Sequence, residues 1–206
     1  MFVNKDHWYD GWFYDRFVAP NQDKLFLQIK NLIEPRSTVI DVGCGTGRLA
    51  FTLADKCDKI LGIDLSRRNI QRANLTLSKN PNSKIAFRHS DLKSIVSEEP
   101  AKFDYAVATY VIHEMAEEER MGFLEDISRL AKKIIIGDYV VPRTKILWSL
   151  VSELVELAAG KDHHRNFRTF VKSGGLTPLI ERINLRLIKE IKHPYEMGHL
   201  VVVEVK

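Results

Sequence analysis

Five short runs downstream of Pro35 are almost continuously apolar: Thr38–Val42, Lys59–Ile63, Lys84–Phe87, Tyr105–Ala108 and Lys133–Gly137. They are rich in Val and Ile and do not alternate with polar residues, the pattern of strands covered on both faces in a parallel sheet. Between them the period changes. Ile70, Ala73 and Leu77 share one helical face behind Ser66, and Leu124, Ile127 and Leu130 share another behind the acidic run Glu117–Glu119. Ser is a favoured N-cap and carboxylates suit a helix N-terminus, so both stretches are predicted helices. Strands alternating with helices predict a doubly wound sheet with crossover helices.

The last third reads differently. A helix is predicted around Lys145–Ala159, and a second in "HHRNFRTFVKSGGL", stopped by Gly174 and Gly175. "LRLIKEIK" and "HLVVVEVK" then read as two strands around a turn near Pro194 and Gly198, close enough in sequence to pair only antiparallel. The expected fold is α/β, a doubly wound Rossmann-like seven-stranded sheet, mostly parallel with a C-terminal antiparallel hairpin. One domain is expected, in four parts: an aromatic, helical cap (1–34), a βα core (35–142), a helical segment (143–182) and the hairpin (183–206).

Composition narrows the class. With 206 residues, 45% of them hydrophobic and 28% charged, the chain is ordinary for a soluble globular domain. The net charge of +4 is scattered rather than clustered, which permits an anionic partner without demanding one. Two cysteines, Cys44 and Cys57, without paired spacing, argue against a disulfide framework or a zinc site, and make the cytoplasm the expected compartment. Lys5, Asp6, Asp10, Asp15 and Arg16 exclude a signal-peptide reading of the N-terminus. The most apolar long segment, residues 145–160, is interrupted by Glu153 and Glu156 and is too short to span a bilayer.

Candidate chemistry starts at "VIDVGCGTGRLA". Gly43, Gly45 and Gly47 fall where the first strand hands over to a helix, allowing a tight turn and a close approach of ligand to main chain. The dinucleotide fingerprint is broken because its third glycine position holds Arg48, and no Gly-Lys-Ser/Thr follows to make a phosphate loop. Three acids accompany the glycines: Asp41 within the first strand, Asp64 closing the second and Asp91 closing the third. They converge at the carboxyl edge of the sheet, where open α/β folds bind ligands, and an acid after the second strand can accept from ribose hydroxyls. With no Lys/Arg pocket for a pyrophosphate, the expected ligand is a nucleoside with an ammonium or sulfonium tail. An NAD-dependent oxidoreductase is disfavoured by Arg48 and by the terminal hairpin.

On these residues the chain resembles the class I S-adenosylmethionine-dependent methyltransferases. "VIDVGCGTG", "GIDLS", "HSDL" and "FDYAVATYVIHEM" look like the family's first four motifs in order, and the terminal antiparallel hairpin also belongs to that fold. The resemblance implies S-adenosyl-L-methionine as cofactor. It assigns the methionine part to the Gly43–Gly47 loop and the ribose to Asp64, and Asp41 is a further cofactor-binding candidate. Adenine falls to Asp91 and the Leu92 amide, with Leu65 packed on its ring.

The catalytic residue is harder to read, because a sulfonium methyl is already activated and positioning can supply most of the catalysis. His113, just beyond the fourth strand, is the candidate base, since neutral imidazole can take a proton near neutral pH. Asp138 and Tyr139, after the fifth strand, are candidates to face the acceptor. No metal is expected, because Ala108 and Thr109 stand where the magnesium-dependent catechol type would place a carboxylate. "WYDGWFYDRF" (8–17) somewhat resembles an N-terminal element of quinone-biosynthesis methyltransferases, with Tyr14 at the position that approaches the cofactor. With Trp12, it is expected to form a lid that excludes water. Trp148, Phe167 and Phe170 then give residues 143–182 an apolar acceptor side, and the expected acceptor is a small aromatic or lipid-like molecule. RNA or protein methylation and donor binding without catalysis are the alternatives. A nucleic-acid acceptor is disfavoured because "ATYVIHEM" lacks the Pro-Pro-Tyr element of base amino-methylation.

Overall fold

The structure, a computed structural model, describes residues 22–98, 102–141, 161–183, 185–193 and 198–205. The expected aromatic lid with Trp12 and Tyr14, the helix around 145–159 with Trp148, and the turn near Pro194 lie outside these residues.

Seven strands form one sheet: β1 (Thr38–Val42), β2 (Lys59–Asp64), β3 (Ile85–His89), β4 (Phe103–Thr109), β5 (Ala131–Tyr139), β6 (Arg186–His193) and β7 (Gly198–Glu204). Their order across the sheet is β3-β2-β1-β4-β5-β7-β6. The first five strands are mutually parallel, and β7 runs antiparallel to both β5 and β6. The described helices are α1 (Asp23–Leu32), α2 (Arg48–Leu53), α3 (Arg67–Lys79), α4 (Leu92–Glu98), α5 (Glu117–Leu130), α6 (Lys161–Lys172) and α7 (Leu176–Arg182), with one 3-10 turn at Ile112–Glu114. This is the expected doubly wound, mostly parallel sheet ending in an antiparallel hairpin.

The unbroken apolar strands are explained by two cores, one on each face. On one face Val39, Tyr105 and Ile135 meet Leu25, Phe26 and Ile29 of α1 and Leu49 and Leu53 of α2. On the other, Ile40, Ala106, Ile134 and Ile136 meet Ile95 of α4, Leu124 and Ile127 of α5, Phe170 of α6 and Leu179 of α7. Each such side chain contributes roughly 1.5–3 kcal/mol by leaving water. The hairpin divides its labour. β7 is buried from Gly198 to Val203, whereas β6 is the sheet edge, with Leu187 and Ile188 exposed beside a register shift. Lys189 and Lys192 charge that edge, which discourages pairing with another chain.

Helix starts follow the sequence signals. Ser66 Oγ accepts from the Asn69 amide at 3.3 Å and caps α3, while α5 begins at Glu117 with three carboxylates in its first turn. No helix of the described residues is long and apolar enough to cross a membrane. Because the chain goes from β1 outward to β2 and β3, then crosses to β4, adjacent strands diverge at β1/β4. That divergence opens a crevice at their carboxyl ends.

Candidate active site

The glycine loop lies at this crevice. Gly43, Gly45 and Gly47 have φ of 74°, 54° and 85°, conformations that side-chain-bearing residues adopt only with strain. Space is equally restrictive at two of them. A Cβ on Gly43 would fall 2.5 Å from Val111 Cγ2, and one on Gly47 would collide with the ring of Phe87. The loop is anchored by Gly43 and Cys44 amides donating to Ile63 O at 2.8 and 3.0 Å. Its middle is held from the next strand, because Asp64 accepts from the Gly45 amide at 2.8 Å and from the Ser66 amide at 2.7 Å. Both Asp64 oxygens therefore take backbone hydrogen bonds, and the one from Gly45 ties the loop to the end of β2.

Asp41 differs. It is 1% exposed, and neither carboxylate oxygen has a hydrogen-bond partner among the described residues. Burial, and then the nearby charge of Asp64, push its carboxyl up to about 7. A buried carboxylate without a partner is expensive unless a cation or donor meets it. A ligand bearing an ammonium group fits this site on charge, and a pyrophosphate does not.

Asp91 lies just beyond β3, not within it, and N-caps α4: Oδ1 accepts from the Ser94 amide at 2.7 Å. Burial raises its pKa, but the hydrogen bonds from Ser94 outweigh that and hold it below the usual carboxylate range. Leu92 is buried at the start of α4, and Leu65 is half-buried, its carbonyl accepting from His89 Nε2 at 3.0 Å. Asp41, the three glycines, Asp64, Leu65, Asp91 and Leu92 thus all sit at the carboxyl end of β1–β3.

His113 lies on the 3-10 turn after β4, across the same edge, and is 2% exposed. Its Nδ1 is 2.7 Å from Asp138 Oδ1, and its amide donates to Asp138 Oδ2 at 3.1 Å. A carboxylate can only accept, so Nδ1 carries the hydrogen and the lone pair of the neutral ring is on Nε2. Asp138 also accepts from the Tyr139 amide at 2.8 Å. It is fully buried. Asp138 therefore orients His113 and does not face an acceptor, a correction to the sequence expectation. Tyr139, in contrast, packs its ring edge-on 4.8 Å from His113, and Phe167 and Phe170 of α6 stand 5.9 and 6.4 Å away.

Two features had no sequence signal. Tyr110 adopts φ 57°, rare for a non-glycine residue, while its amide donates to Gly137 O at 2.7 Å. Its ring closes the aromatic cluster, 5.4 Å from Tyr139, and burial with the charge of Asp138 raises its phenol pKa strongly. Arg120 of α5 is wholly buried against α6. Tyr14 lies outside the described residues, so its relation to this site stays an expectation.

Comparison with known proteins agrees with the fold. Residues 39–133, from β1 into β5, match the family described as "Methyltransferase domain". A ubiquinone biosynthesis O-methyltransferase of Leptothrix cholodnii is 33% identical over 66 residues, which are 32% of this chain and 28% of that protein. A 23S rRNA (uracil(1939)-C(5))-methyltransferase of Aliivibrio fischeri is 26% identical over 107 residues, 50% of this chain and 23% of that protein. The chain thus spans less than a third of each of these curated relatives. Among solved structures, magnesium protoporphyrin IX methyltransferase from Synechocystis PCC 6803 with bound S-adenosylmethionine superposes with a TM-score of 0.63 at 14% identity, covering 95% of this chain and 85% of that one. The glycine loop at the β1/β4 crevice, the sheet order and the matched segment agree: residues 39–133 are similar to a methyltransferase domain, and the chain has the fold of that methyltransferase structure.

Proposed function

We propose that this chain transfers the methyl group of S-adenosylmethionine to a small acceptor, aromatic or lipid-like, with His113 as general base. The observation that carries the proposal is the His113–Asp138 pair, buried among aromatic rings and placed across the β1/β4 crevice from the glycine loop and Asp41. The cofactor supplies a methyl group already activated on a sulfonium, leaving positioning and proton removal to the protein.

The residues divide the task. Asp41 meets the ammonium of the cofactor's methionine part. Gly43, Gly45 and Gly47 let the main chain approach it. Asp64 accepts from the ribose hydroxyls, Leu65 packs on the adenine, and Asp91 with the Leu92 amide reads the base's edge. On the acceptor side, Asp138 fixes His113 with Nε2 as the basic atom, which takes the proton from an acceptor hydroxyl, thiol or amine as that atom attacks. Tyr139, Phe167 and Phe170 offer apolar edges to a flat acceptor. Trp148, Tyr14 and Trp12 lie outside the described residues, and their part in completing and closing that side is an expectation from the sequence.

One observation favours a second reading, the rRNA relative. Methylation at a pyrimidine ring carbon needs a nucleophilic thiolate, and the chain has only Cys44 and Cys57. Both are buried, and burial raises both thiol pKa values. That chemistry is therefore disfavoured. Binding of an RNA duplex or hairpin measured from 50 to 200 mM salt separates the readings, since a phosphate binder loses affinity steeply.

The central test is calorimetric titration with S-adenosylmethionine and S-adenosylhomocysteine, followed by a screen of phenols, thiols, amines and carboxylic acids with labelled donor. Micromolar donor binding with methyl incorporation into a small acceptor is expected, and loss of incorporation in His113→Ala with donor binding intact. No heat with either compound at millimolar concentration sinks the whole reading. Donor binding without incorporation into any acceptor leaves a binding module instead of an enzyme.

A further inference from the structure

Arg120 lies in the second turn of α5 and is one of the largest wholly buried side chains of the protein. It makes no ion pair among the described residues. All its hydrogen bonds gather on one guanidinium nitrogen, Nη2, which donates to Met115 O at 3.0 Å, Asn166 O at 2.7 Å and Thr169 Oγ1 at 2.7 Å. Nε and Nη1 are buried without partners among the described residues. The guanidinium carbon sits 5.7 Å from the centre of the Phe170 ring. Burial lowers its pKa, opposed by the charges of Glu117, Asp138 and Glu118.

The three acceptors come from two places: Met115 O, five residues before Arg120, ends the His113-bearing turn, and Asn166 and Thr169, 46 and 49 residues after Arg120, belong to α6. A second strut runs the same way, with Asn166 Nδ2 donating to Glu114 O at 2.8 Å. Between these struts α6 carries Phe167 and Phe170, the two rings that stand edge-on to the His113 imidazole.

We propose that Arg120 is a positioning residue of the acceptor side: by drawing the end of the 3-10 turn and α6 onto one nitrogen, it holds the Phe167 and Phe170 rings against His113. It touches neither reacting atoms nor cofactor. The proposal rests on reading His113 as the base only for its consequence in catalysis; the clamp itself is testable without an acceptor.

Arg120→Gln removes the charge, whereas Arg120→Lys keeps the charge and three N–H donors on one nitrogen. Hydrogen bonds from charged donors are strong enough that amide exchange over residues 166–170 should accelerate at least about tenfold in Arg120→Gln, relative to α1 and α3, and less in Arg120→Lys. The nuclear Overhauser contacts of the His113 ring with the Phe167 and Phe170 rings, followed by NMR, should weaken in Arg120→Gln, because the rings are no longer held at 5.9 and 6.4 Å. In Arg120→Lys they should weaken less. Affinity for S-adenosylhomocysteine should change less than threefold in either. Unchanged exchange in α6, or acceleration spread equally over every helix with the His113–Phe167 and His113–Phe170 ring contacts intact, overturns the proposal. Should Arg120→Gln fail to fold, Asn166→Ala removes the second strut alone. It should accelerate α6 exchange about threefold, and no local change there also refutes the clamp. Failure of the methyltransferase reading would appear instead as missing donor binding in the wild-type protein, with the clamp's exchange signature intact.

Discussion

Replacing Asp41 by Asn deletes one buried ionisable group and keeps its shape. The carboxyl, about 1% exposed and without a partner among the described residues, is raised to about 7 from an ordinary 3.8 by burial and then by Asp64. In the unfolded chain it ionises near 3.8, so between these two values the folded protein holds a proton that the unfolded chain has released. Stability must then fall as pH rises through that window and level off above the folded value. At roughly 1.36 kcal/mol per pH unit, the gap is worth about 4 kcal/mol when ionisation is complete, of which about 3 kcal/mol falls between pH 5 and pH 8. For a domain of this size that is roughly 5–10 °C in Tm. Thermal unfolding of wild type and Asp41→Asn, without donor, at pH 5, 6, 7 and 8 measures it. The variant should gain on the wild type steadily with pH, and saturating S-adenosylhomocysteine should shrink the wild type's pH dependence, because its ammonium meets the ionised carboxylate. Curves that stay parallel within about 1 kcal/mol across this range refute the reasoning, for Asp41 would then ionise in the folded protein at no cost.

Other perturbations probe the remaining parts. Asp138→Asn leaves His113 without a carboxylate to hold Nδ1–H, and methyl transfer should fall about 100-fold or more with donor affinity nearly unchanged, read as kcat against the donor Kd. Gly43→Ala forces a Cβ onto Val111 at a positive φ, and S-adenosylhomocysteine binding by calorimetry should weaken at least about tenfold. His199, buried and bonded to Glu190 at 2.9 Å, has its pKa lowered by burial, so its effect on stability has the opposite sign to that of Asp41. The unfolded chain takes up a proton there first, stability is lost as pH falls below about 6.5, and unfolding of His199→Gln should show a flatter acid limb. Trp12→Ala and Tyr14→Ala should raise the acceptor KM; an unchanged KM counts against a lid.

What was legible in the chain follows from where the determining interactions lie. The parallel strands could be read because Val39 and Ile40 face different cores, so both faces of β1 demand apolar residues and the run is unbroken. The glycine loop could be read because backbone conformation there depends on local sequence. Strand ends were less exact: β3 runs to His89 and β5 from Ala131 to Tyr139, lengths set by neighbouring strands rather than by their own composition. The short helices α4 and α7 gave little periodic signal. Arg120 was unreadable for a different reason. A cation three residues after Glu117 looks like an exposed helix partner, and only α6, packed from 46 residues away, buries it. Asp138 likewise looked ready for an acceptor until the turn carrying His113 folded back onto it.

On the proposed function, the donor and acceptor halves of the site are built from different materials, and Gly43 and Val111 bring them together. The donor half is mainly backbone: positive-φ glycines pinned to Ile63 O and Asp64. The acceptor half is a set of buried polar side chains, Asp138, His113 and Arg120, wrapped in aromatic rings. Val111, immediately before the 3-10 turn, rests its Cγ2 where a Cβ of Gly43 would lie. In-line transfer tolerates little error in the gap between donor and acceptor, with reacting atoms about 3–3.5 Å apart. On the proposed function, how closely a strand-end glycine lets that valine approach helps set this gap. On this account the bare α-carbon of Gly43 serves the placement of the base as much as the binding of the cofactor.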